Sequence, residues 1–200
     1  TVCSVALSED GQNIFVKEDF QSCSHGVSLG VFVDEALSFA DSHAIPLDAV
    51  AVSCGPGSYT GLRIGVSMAK GVCYGRDIPL IGIPTVEILC VPILLYHELP
   101  DNALLCPMID ARRMEVFTAI YDKNYTQIRN TQAEIIDENS YQEISEKIHL
   151  VGDGTEKFKN TLTHERFVFH SDVIFPSAKE MSKLSFEKYK ISDFVDVAYF

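Results

Sequence analysis

The segment from Ser53 to Gly65 carries the residues with the clearest capacity for chemistry. It reads Ser-Cys-Gly-Pro-Gly-Ser-Tyr-Thr-Gly-Leu-Arg-Ile-Gly, with glycines at positions 55, 57 and 61. Glycines adopt positive φ at little cost and leave backbone amides uncovered. The N-terminus of a following helix adds roughly half a positive charge. The segment therefore predicts a cradle for an anion or a phosphate group.

Basic side chains are concentrated beside this turn. The first hundred residues hold Lys17, Arg63, Lys70 and Arg76, and the last three lie on or just after the helix predicted to follow the turn. On a wheel of 100° per residue, Arg63, Ser67 and Lys70 fall within an arc of about 60°. The residues predicted to contact an anion or a nucleotide are Gly55, Gly57, Ser58, Thr60, Arg63 and Lys70.

The alternative is that the glycines form a tight turn and that the basic strip faces solvent. The glycine spacing is GxGxxxG, which matches neither the dinucleotide fingerprint nor the P-loop. Gly55-Pro-Gly-Ser58-Tyr does not match the GxSxG nucleophile elbow either. We therefore interpret Ser58 and Thr60 as helix-capping hydroxyls and predict no catalytic residue in this chain.

Two acidic positions have more than one interpretation. Asp110 with Arg112 could be a catalytic acid and an anion clamp, but we favour a role in positioning a strand hairpin. Asp153 lies between two glycines, which is typical of a turn.

The histidines and cysteines show no metal-binding spacing. No pair of the six histidines forms HxxxH or HExxH, so we expect no metal ligands. The cysteines never occur as CxxC, and most lie in apolar runs, which favours reduced thiols in the core of a cytosolic protein. A disulfide framework or a zinc site is the less favoured alternative. The six are Cys3, Cys23, Cys54, Cys73, Cys90 and Cys106.

Composition narrows the function classes. The chain has 200 residues, with 16 Lys and Arg against 28 Asp and Glu, which gives a net charge of −12. Because phosphate contacts need clustered basic residues, this chain is a poor binder of nucleic acid by itself. The longest apolar stretch, Ile88 to Tyr96, is about half a membrane span and contains Pro92. We also find no signal peptide and expect that both ends of the sequence are cut.

The apolar patterns predict two α/β lobes, residues 1–98 and 99–200. In the first lobe, alternation predicts a hairpin, and apolar residues at helical spacing predict a helix. Strand and helix then alternate, which favours parallel pairing. The predicted elements are a hairpin over 1–17, helices over 28–43, about 59–75 and from Thr85, and strands over 48–54 and 79–82.

The second lobe is predicted to contain several strands and short helices. Ser140 with Glu143 has the spacing of a capping box, which predicts a short helix. The predicted strands cover 103–109, 115–121, 127–136, 149–151 and 167–169, and further helices cover 155–162 and 177–188.

Two blocks of the sequence resemble the TsaB (YeaZ) family. The first is Cys54-Gly-Pro-Gly-Ser-Tyr-Thr-Gly-Leu-Arg-Ile-Gly-Val66, followed by Ala69-Lys-Gly71 and Ile81-Gly-Ile-Pro-Thr85. The second, Ile109-Asp-Ala-Arg-Arg-Met-Glu-Val-Phe117, is similar to the I-D-A-R-x-x-E-V-Y/F segment of that family. The resemblance covers about residues 2–122 well and the rest thinly.

The resemblance implies a fold and a role. The fold would be the two-lobed α/β fold of the actin, sugar-kinase and Hsp70 group (ASKHA, ribonuclease H-like), with mixed sheets flanked by helices. The role would be that of a non-catalytic scaffold or activator in making N6-threonylcarbamoyladenosine in tRNA. The partners would be a catalytic TsaD-like paralogue and a TsaE-like ATPase, with a homodimer when the chain is alone.

The resemblance also implies where partners bind. The first-lobe helix would contribute to the TsaD-like interface through Leu29, Val31 and Phe32. The complex would be cytoplasmic, with no membrane involved. Its tRNA would be bound only through the complex, and its ATP and divalent metal would belong to the partners, with no cofactor in this chain.

The chain departs from the family pattern in places. The D/E-T-S-like loop that opens the family sequence is missing, and Ser28-Leu-Gly-Val31 replaces a Leu-Leu-Pro type of segment. The alternative function is a stand-alone nucleotide-binding phosphotransferase of the ASKHA type. Because such a kinase needs a second phosphate loop and a carboxylate for magnesium, and Gly152-Asp-Gly154 is too short for that loop, the scaffold is favoured.

Overall fold

A computed structural model of the chain describes residues 2–20 and 25–200, with the backbone alone at His25. The predicted core thiol Cys23 and the predicted strand residue Thr1 lie outside the described residues. The chain divides into two units, Thr1–Pro84 with Ser177–Phe200, and Thr85–Pro176.

The described part of the first unit contains a hairpin, a parallel pair of strands and three α-helices. Strand β1 pairs antiparallel with β2, and β3 pairs parallel with β4. The elements are β1 (Cys3–Glu9), β2 (Gln12–Asp19), α1 (His25–Ser42), β3 (Val50–Ser53), α2 (Tyr59–Arg76), β4 (Leu80–Ile83) and α4 (Met181–Lys190).

The second unit is built on a mixed sheet of five strands in the order β7-β6-β5-β8-β9. The three strands β5, β6 and β7 are antiparallel neighbours, whereas β8 and β9 run parallel to β5. The elements are α3 (Thr85–Tyr96), β5 (Leu104–Asp110), β6 (Glu115–Asp122), β7 (Gln127–Ile135), β8 (Ile148–Val151) and β9 (Phe167–His170).

Helix α1 packs its apolar face on the hairpin, as its spacing predicts. Ala36 and Ala40 are buried, and the ring of Phe39 lies 5.4 Å from that of Phe15 on β2. An ion pair of 3.0 Å between Lys17 and Glu35 borders this contact. The apolar stripe therefore orients the helix on the sheet.

Helix α2 is the crossover that joins the parallel strands β3 and β4. Its buried side chains, Ala69 and Cys73, pack with Val52 and Leu80 of the two strands. Parallel strands need a connection of this kind because a tight turn cannot return the chain in the same direction.

Helix α3 is apolar apart from Thr85 and Glu87 in its first turn, and it forms core, as predicted. Val86, Leu89 and Ile93 are buried with Leu105 of β5 and Val151 of β8. A helix with an apolar surface on nearly all sides is typical of a buried position. None of the described helices is both long and apolar enough to cross a bilayer.

The predicted helix after Ser140 is wrong, since residues 138–143 form turns. The Asp137 carboxylate accepts the N–H of Asn139 at 2.8 Å, and the Ser140 hydroxyl accepts the N–H of Asp137 at 3.0 Å. Tyr141 has a φ of 65° and is 2% exposed. A left-handed residue interrupts a helix, and burial of the Tyr141 ring in the core favours it here.

The predicted helix over 155–162 is also wrong. A single 3-10 helix, Glu156–Phe158, occupies its start. Phe158 and Leu162 are both buried in the hydrophobic core of this unit, and a continuous α-helix is not formed around them. The last helix begins at Met181 rather than at Ser177, because a second 3-10 helix, Ala178–Glu180, precedes it.

The unit boundaries differ from the predicted lobes of 1–98 and 99–200. Helix α3 belongs to the second unit because it packs on β5, and residues 177–200 belong to the first unit. Residues 177–200 join the first unit through contacts such as that of Val195, whose N–H donates to the carbonyl of Leu80 on β4 at 2.9 Å. Tertiary pairing of this kind has no local signal in the sequence.

Four cysteines occupy the core positions that the sequence predicts. Cys3, Cys73, Cys90 and Cys106 are buried thiols, whereas Cys54 is exposed. Burial raises the pKa of the Cys106 thiol to about 11, so it is protonated at neutral pH.

The turn after β8 packs directly against β5. Gly152 has a φ of 108°, and a Cβ added there would lie 2.4 Å from the carbonyl oxygen of Met108. The N–H of Gly154 donates to that same oxygen at 3.0 Å. The Asp153 carboxylate accepts the N–H of Asp110 at 3.0 Å, so its predicted role as a turn former is confirmed.

We expect Gly152→Ala to lower the free energy of unfolding by at least about 2 kcal/mol. A positive φ is strained for alanine, and the new Cβ must displace the backbone of β5. Denaturant unfolding of the full chain measures this loss. Gly71→Ala is the control, because nothing lies within 4 Å of its added Cβ and alanine favours a helix by about 1 kcal/mol. A Gly152→Ala protein as stable as the parent would contradict the close packing.

Candidate functional site

The glycine-rich segment joins β3 to α2 as a sharp turn. Gly55 has a φ of 102° and Gly57 one of 159°. A Cβ added to Gly55 would lie 3.2 Å from Leu62 of the following helix. The N–H of Cys54 donates to the carbonyl of Ile83 at 3.0 Å, so the turn begins where β3 still follows β4. The glycines let the chain leave the sheet and enter α2.

Ser58 caps α2, as predicted. Its hydroxyl accepts the N–H of Gly61 at 3.3 Å, and its carbonyl accepts the N–H of Leu62 at 2.9 Å. The helix starts at Tyr59, so Thr60 lies inside the first turn and its predicted capping role is wrong. The Ser58 hydroxyl supplies one of the acceptors that the start of a helix requires.

The basic residues of α2 have local partners. The Arg63 guanidinium lies 5.0 Å from the centre of the Tyr59 ring, and the Lys70 ammonium donates to the carbonyl of Ala198 at 3.3 Å. Lys70 lies seven residues after Arg63, or about 10 Å further along the helix axis. Anion contact by Gly55, Gly57, Ser58, Thr60, Arg63 and Lys70 stays a prediction.

An open groove of about 1120 Å³ lies between α1 and α2. Its floor is apolar and half-buried, and its rim is charged, with Asp34 on α1 and Arg63 on α2. The apolar residues of the lining are Val33, Leu37, Ile64, Met68 and Val72. Apolar clefts with a few polar groups at the rim are typical of binding sites.

Small residues give the groove its depth. Ser67, Gly71 and Gly75 recur every four residues along one side of α2 and line the groove together with Gly30 of α1. Residues four apart share one face of a helix, so this spacing is visible in the sequence, although we did not predict a groove from it. Because these side chains are small or absent, space remains between α1 and α2.

A salt bridge closes one end of the groove. The Arg76 guanidinium donates to both carboxylate oxygens of Asp41, at 3.0 and 2.8 Å. The hydrogen bonds from Arg76 lower the pKa of Asp41. This two-pronged geometry orients α1 relative to α2 more firmly than a single contact would.

The predicted interface residues lie beside the groove with different exposures. Val31 is 51% exposed and Val27 is 78% exposed, whereas Leu29 and Phe32 are half-buried. On a helical wheel Val31 lies about 60° from Asp34, which lines the groove. Val31 is therefore the most accessible of the three predicted contacts, and Leu29 and Phe32 offer part of their surface.

Asp110 and Arg112 hold a turn together. The Asp110 carboxylate accepts the N–H of Arg112 at 2.9 Å and the ammonium of Lys157 at 2.5 Å. Arg112 has a φ of 72°, and the hydrogen bond to Asp110 supports that conformation. The favoured role of Asp110 and Arg112, positioning the hairpin of β5 and β6, is confirmed.

Lys157 is a structural residue that sequence reasoning missed. Its ammonium also donates to the carbonyls of Arg113 at 2.8 Å and Glu115 at 2.7 Å, so three acceptors converge on one cation. The hydrogen bond from Lys157 lowers the pKa of Asp110. Because these partners are 42 to 47 residues apart in sequence, no local pattern marks Lys157.

Among the described residues, one group has a composition suited to a metal ion. His97, His170 and Asp172 of the second unit each offer a ligand atom, and these atoms lie within 4.8 Å of one another. His97 lies over 70 residues before His170 and Asp172 in the sequence, so spacing motifs do not reveal the group.

Comparison with known proteins identifies relatives over most of the chain. A family model described as TsaD: tRNA N6-adenosine threonylcarbamoyltransferase matches residues 19–199. The tRNA threonylcarbamoyladenosine biosynthesis protein TsaB of Escherichia coli is 30% identical over 189 residues, which cover 90% of this chain and 79% of that protein. The tRNA N6-adenosine threonylcarbamoyltransferase of Salinibacter ruber is 34% identical over 101 residues, covering 50% of this chain and 30% of that protein.

A solved structure shares the fold. YeaZ from Pseudomonas aeruginosa matches with a TM-score of 0.82 at 18% identity, covering 99% of this chain and 92% of that chain. The match confirms the predicted α/β fold of the actin-like ASKHA type.

We expect Lys157→Met to lower the free energy of unfolding by about 1–3 kcal/mol, because two carbonyls and a carboxylate lose their shared donor. Chemical denaturation at neutral pH tests this. Lys159→Met is the matched control, since its ion pair with Glu156 is exposed and contributes at most about 1 kcal/mol.

The cost of Lys157→Met should also depend on pH. The lowered pKa of Asp110 contributes stability above the carboxyl's unfolded pKa, and this contribution is lost as pH falls through the folded value. Acidification should therefore shrink the difference between parent and Lys157→Met. Equal losses for Lys157→Met and Lys159→Met would contradict the assigned role.

Proposed function

The chain belongs to the TsaB family of tRNA threonylcarbamoyladenosine biosynthesis proteins, and from this premise we propose that it is the scaffold and activator subunit that pairs with a TsaD-like catalytic subunit. The observation that carries the role is the relationship to TsaB over 90% of this chain and 79% of the relative. In this role the chain orders the partner's active site and contributes no catalytic residue.

The groove between α1 and α2 is the proposed docking surface for the TsaD-like subunit. Its apolar floor is open, and the exposed side chains of Val27 and Val31 extend α1 as an apolar surface. Burial of apolar surface drives association, and Arg63 and Asp34 on the rim supply charges that set the orientation of a partner.

A catalytic relative suggests the geometry of pairing. Half of this chain aligns with a threonylcarbamoyltransferase, so the proposed partner shares a related fold. Two related folds can pair through equivalent helices about a pseudo-twofold axis, as identical subunits do about a true one. The same surface would then support a homodimer when the chain is alone.

In this role the chain binds neither tRNA nor ATP directly. A net charge of −12 disfavours phosphate contacts by this chain, so tRNA is bound through more basic partners. A TsaE-like ATPase docks on the pair, and ATP with its divalent metal is bound by the partners rather than by this chain. The complex acts in the cytoplasm.

We expect Val31→Glu to weaken pairing with the TsaD-like subunit at least about tenfold, because docking would bury an unpaired carboxylate. Co-purification of the tagged chain with its native TsaD-like protein, followed by size-exclusion chromatography, measures this. Ile135→Glu is the control, since Ile135 is 71% exposed on β7 of the other unit. Unchanged pairing of the Val31→Glu protein, or an equal loss for Ile135→Glu, would refute the docking surface.

A turnover assay separates the scaffold from a stand-alone phosphotransferase. We expect no ATP hydrolysis above background by the purified chain, and turnover when TsaD-like and TsaE-like proteins are added. The reason is that Asp110 and Asp153, the candidate carboxylates, are engaged in the turn between β5 and β6 and the turn after β8. Hydrolysis by the chain alone that is lost in Asp110→Asn would favour the phosphotransferase.

A further inference from the structure

Three side chains with metal-ligating atoms meet at one edge of the second unit. His97 follows α3, His170 ends β9, and Asp172 lies two residues beyond it. One ligand atom from each lies within 4.8 Å of the other two. The rings of His97 and His170 meet edge to face, with centres 4.6 Å apart.

One of these distances fits two ligands of one ion. Nε2 of His97 lies 3.6 Å from a carboxylate oxygen of Asp172, which is longer than a hydrogen bond. Two ligands bound to zinc at 2.0–2.2 Å in a tetrahedral arrangement lie about 3.4 Å apart. All three atoms already lie within 4.8 Å of one another, so shifts of at most about 1.4 Å would bring them to that separation. The side chains of His97 and Asp172 are partly exposed and have room to move.

A fourth residue orients His170. Nδ1 of His149 lies 2.8 Å from Nε2 of His170, and the two rings stack with centres 5.1 Å apart. Both residues are 7% exposed. A metal-binding histidine commonly engages a partner through its other ring nitrogen, and that partner sets the tautomer and the ring orientation. The bond to His149 leaves Nδ1 of His170 for a ligand.

We propose that His97, His170 and Asp172 form a binding site for a first-row divalent metal, with zinc as its best occupant. Imidazole nitrogens favour zinc over magnesium and calcium, which prefer sets of oxygen ligands. With three protein ligands, a tetrahedral ion keeps one position for water. Because His97 lies over 70 residues before His170, a search for closely spaced motifs such as HxxxH does not find the group.

The site has a physical consequence for the second unit. The ion would join the end of α3 to the end of β9, two segments that are over 70 residues apart. Because the folded chain binds the ion and the unfolded chain lacks the arranged ligands, zinc stabilises the fold by mass action. The site lies in a different unit from the groove of α1 and α2, so its test is independent of the pairing function.

To test the proposal, the full chain is treated with a chelator and then titrated with zinc while binding is measured by calorimetry. A Cys54→Ser background removes the exposed thiol as a competing ligand. We expect one zinc ion per chain and an affinity that falls at least about tenfold in His97→Gln and in Asp172→Asn. Magnesium should not compete. Cobalt should give the visible spectrum of a tetrahedral nitrogen and oxygen site, and His97→Gln should remove it.

His164→Gln is the matched control, since His164 is an exposed histidine of the same unit. It should bind zinc as the parent does, which separates the cluster from adventitious binding by any surface histidine. Circular dichroism checks that each variant is folded. Zinc affinity that is unchanged in His97→Gln and Asp172→Asn, or no bound zinc in the parent, would overturn the proposal.

Discussion

The crossover between two parallel strands determines the candidate docking surface. Because β3 and β4 run in the same direction, α2 must span the distance between their ends, with Ala69 and Cys73 packed on the strands. One side of the helix is thereby committed to the core. The opposite side, with Ser67, Gly71 and Gly75, is left to face α1 across the groove. The glycine turn at Gly55 serves this arrangement because it redirects the chain from the sheet into the helix.

Parallel strand pairing also places the histidines of the second unit near one another. Strands β8 and β9 are parallel, with His149 opposite Val168 and Val151 opposite His170. His149 and His170 are therefore diagonal neighbours on one face, within reach of each other's rings. The turn at Gly152 holds the end of β8 against β5, and α3 brings His97 to the same edge. The strand pairing and the packing of α3 that build the core therefore also bring the histidine side chains together.

Function and fold were accessible from sequence to different degrees. The blocks around Gly55 and Asp110 resemble the family, and both blocks form turns in which a positive φ at Gly55 and the hydrogen bond from Arg112 to Asp110 restrict the residue type. The anion-contact prediction has less physical support, since Ser58 caps the helix, Arg63 rests on Tyr59, and Lys70 binds the carbonyl of Ala198. A basic strip on a helical wheel does not reveal partners from remote segments.

The sequence by itself determined the hairpin, the helix and strand alternation, the apolar helix α3 and the buried cysteines, because periodicity and run length are local signals. Tertiary structure alone decided the turn at Tyr141, the return of residues 177–200 to the first unit, the three contacts of Lys157 and the meeting of His97 with His170. Each of these depends on burial or pairing between residues far apart in the chain. Such contacts form because they lower the free energy of the whole folded chain, so a short segment of the sequence cannot reveal them.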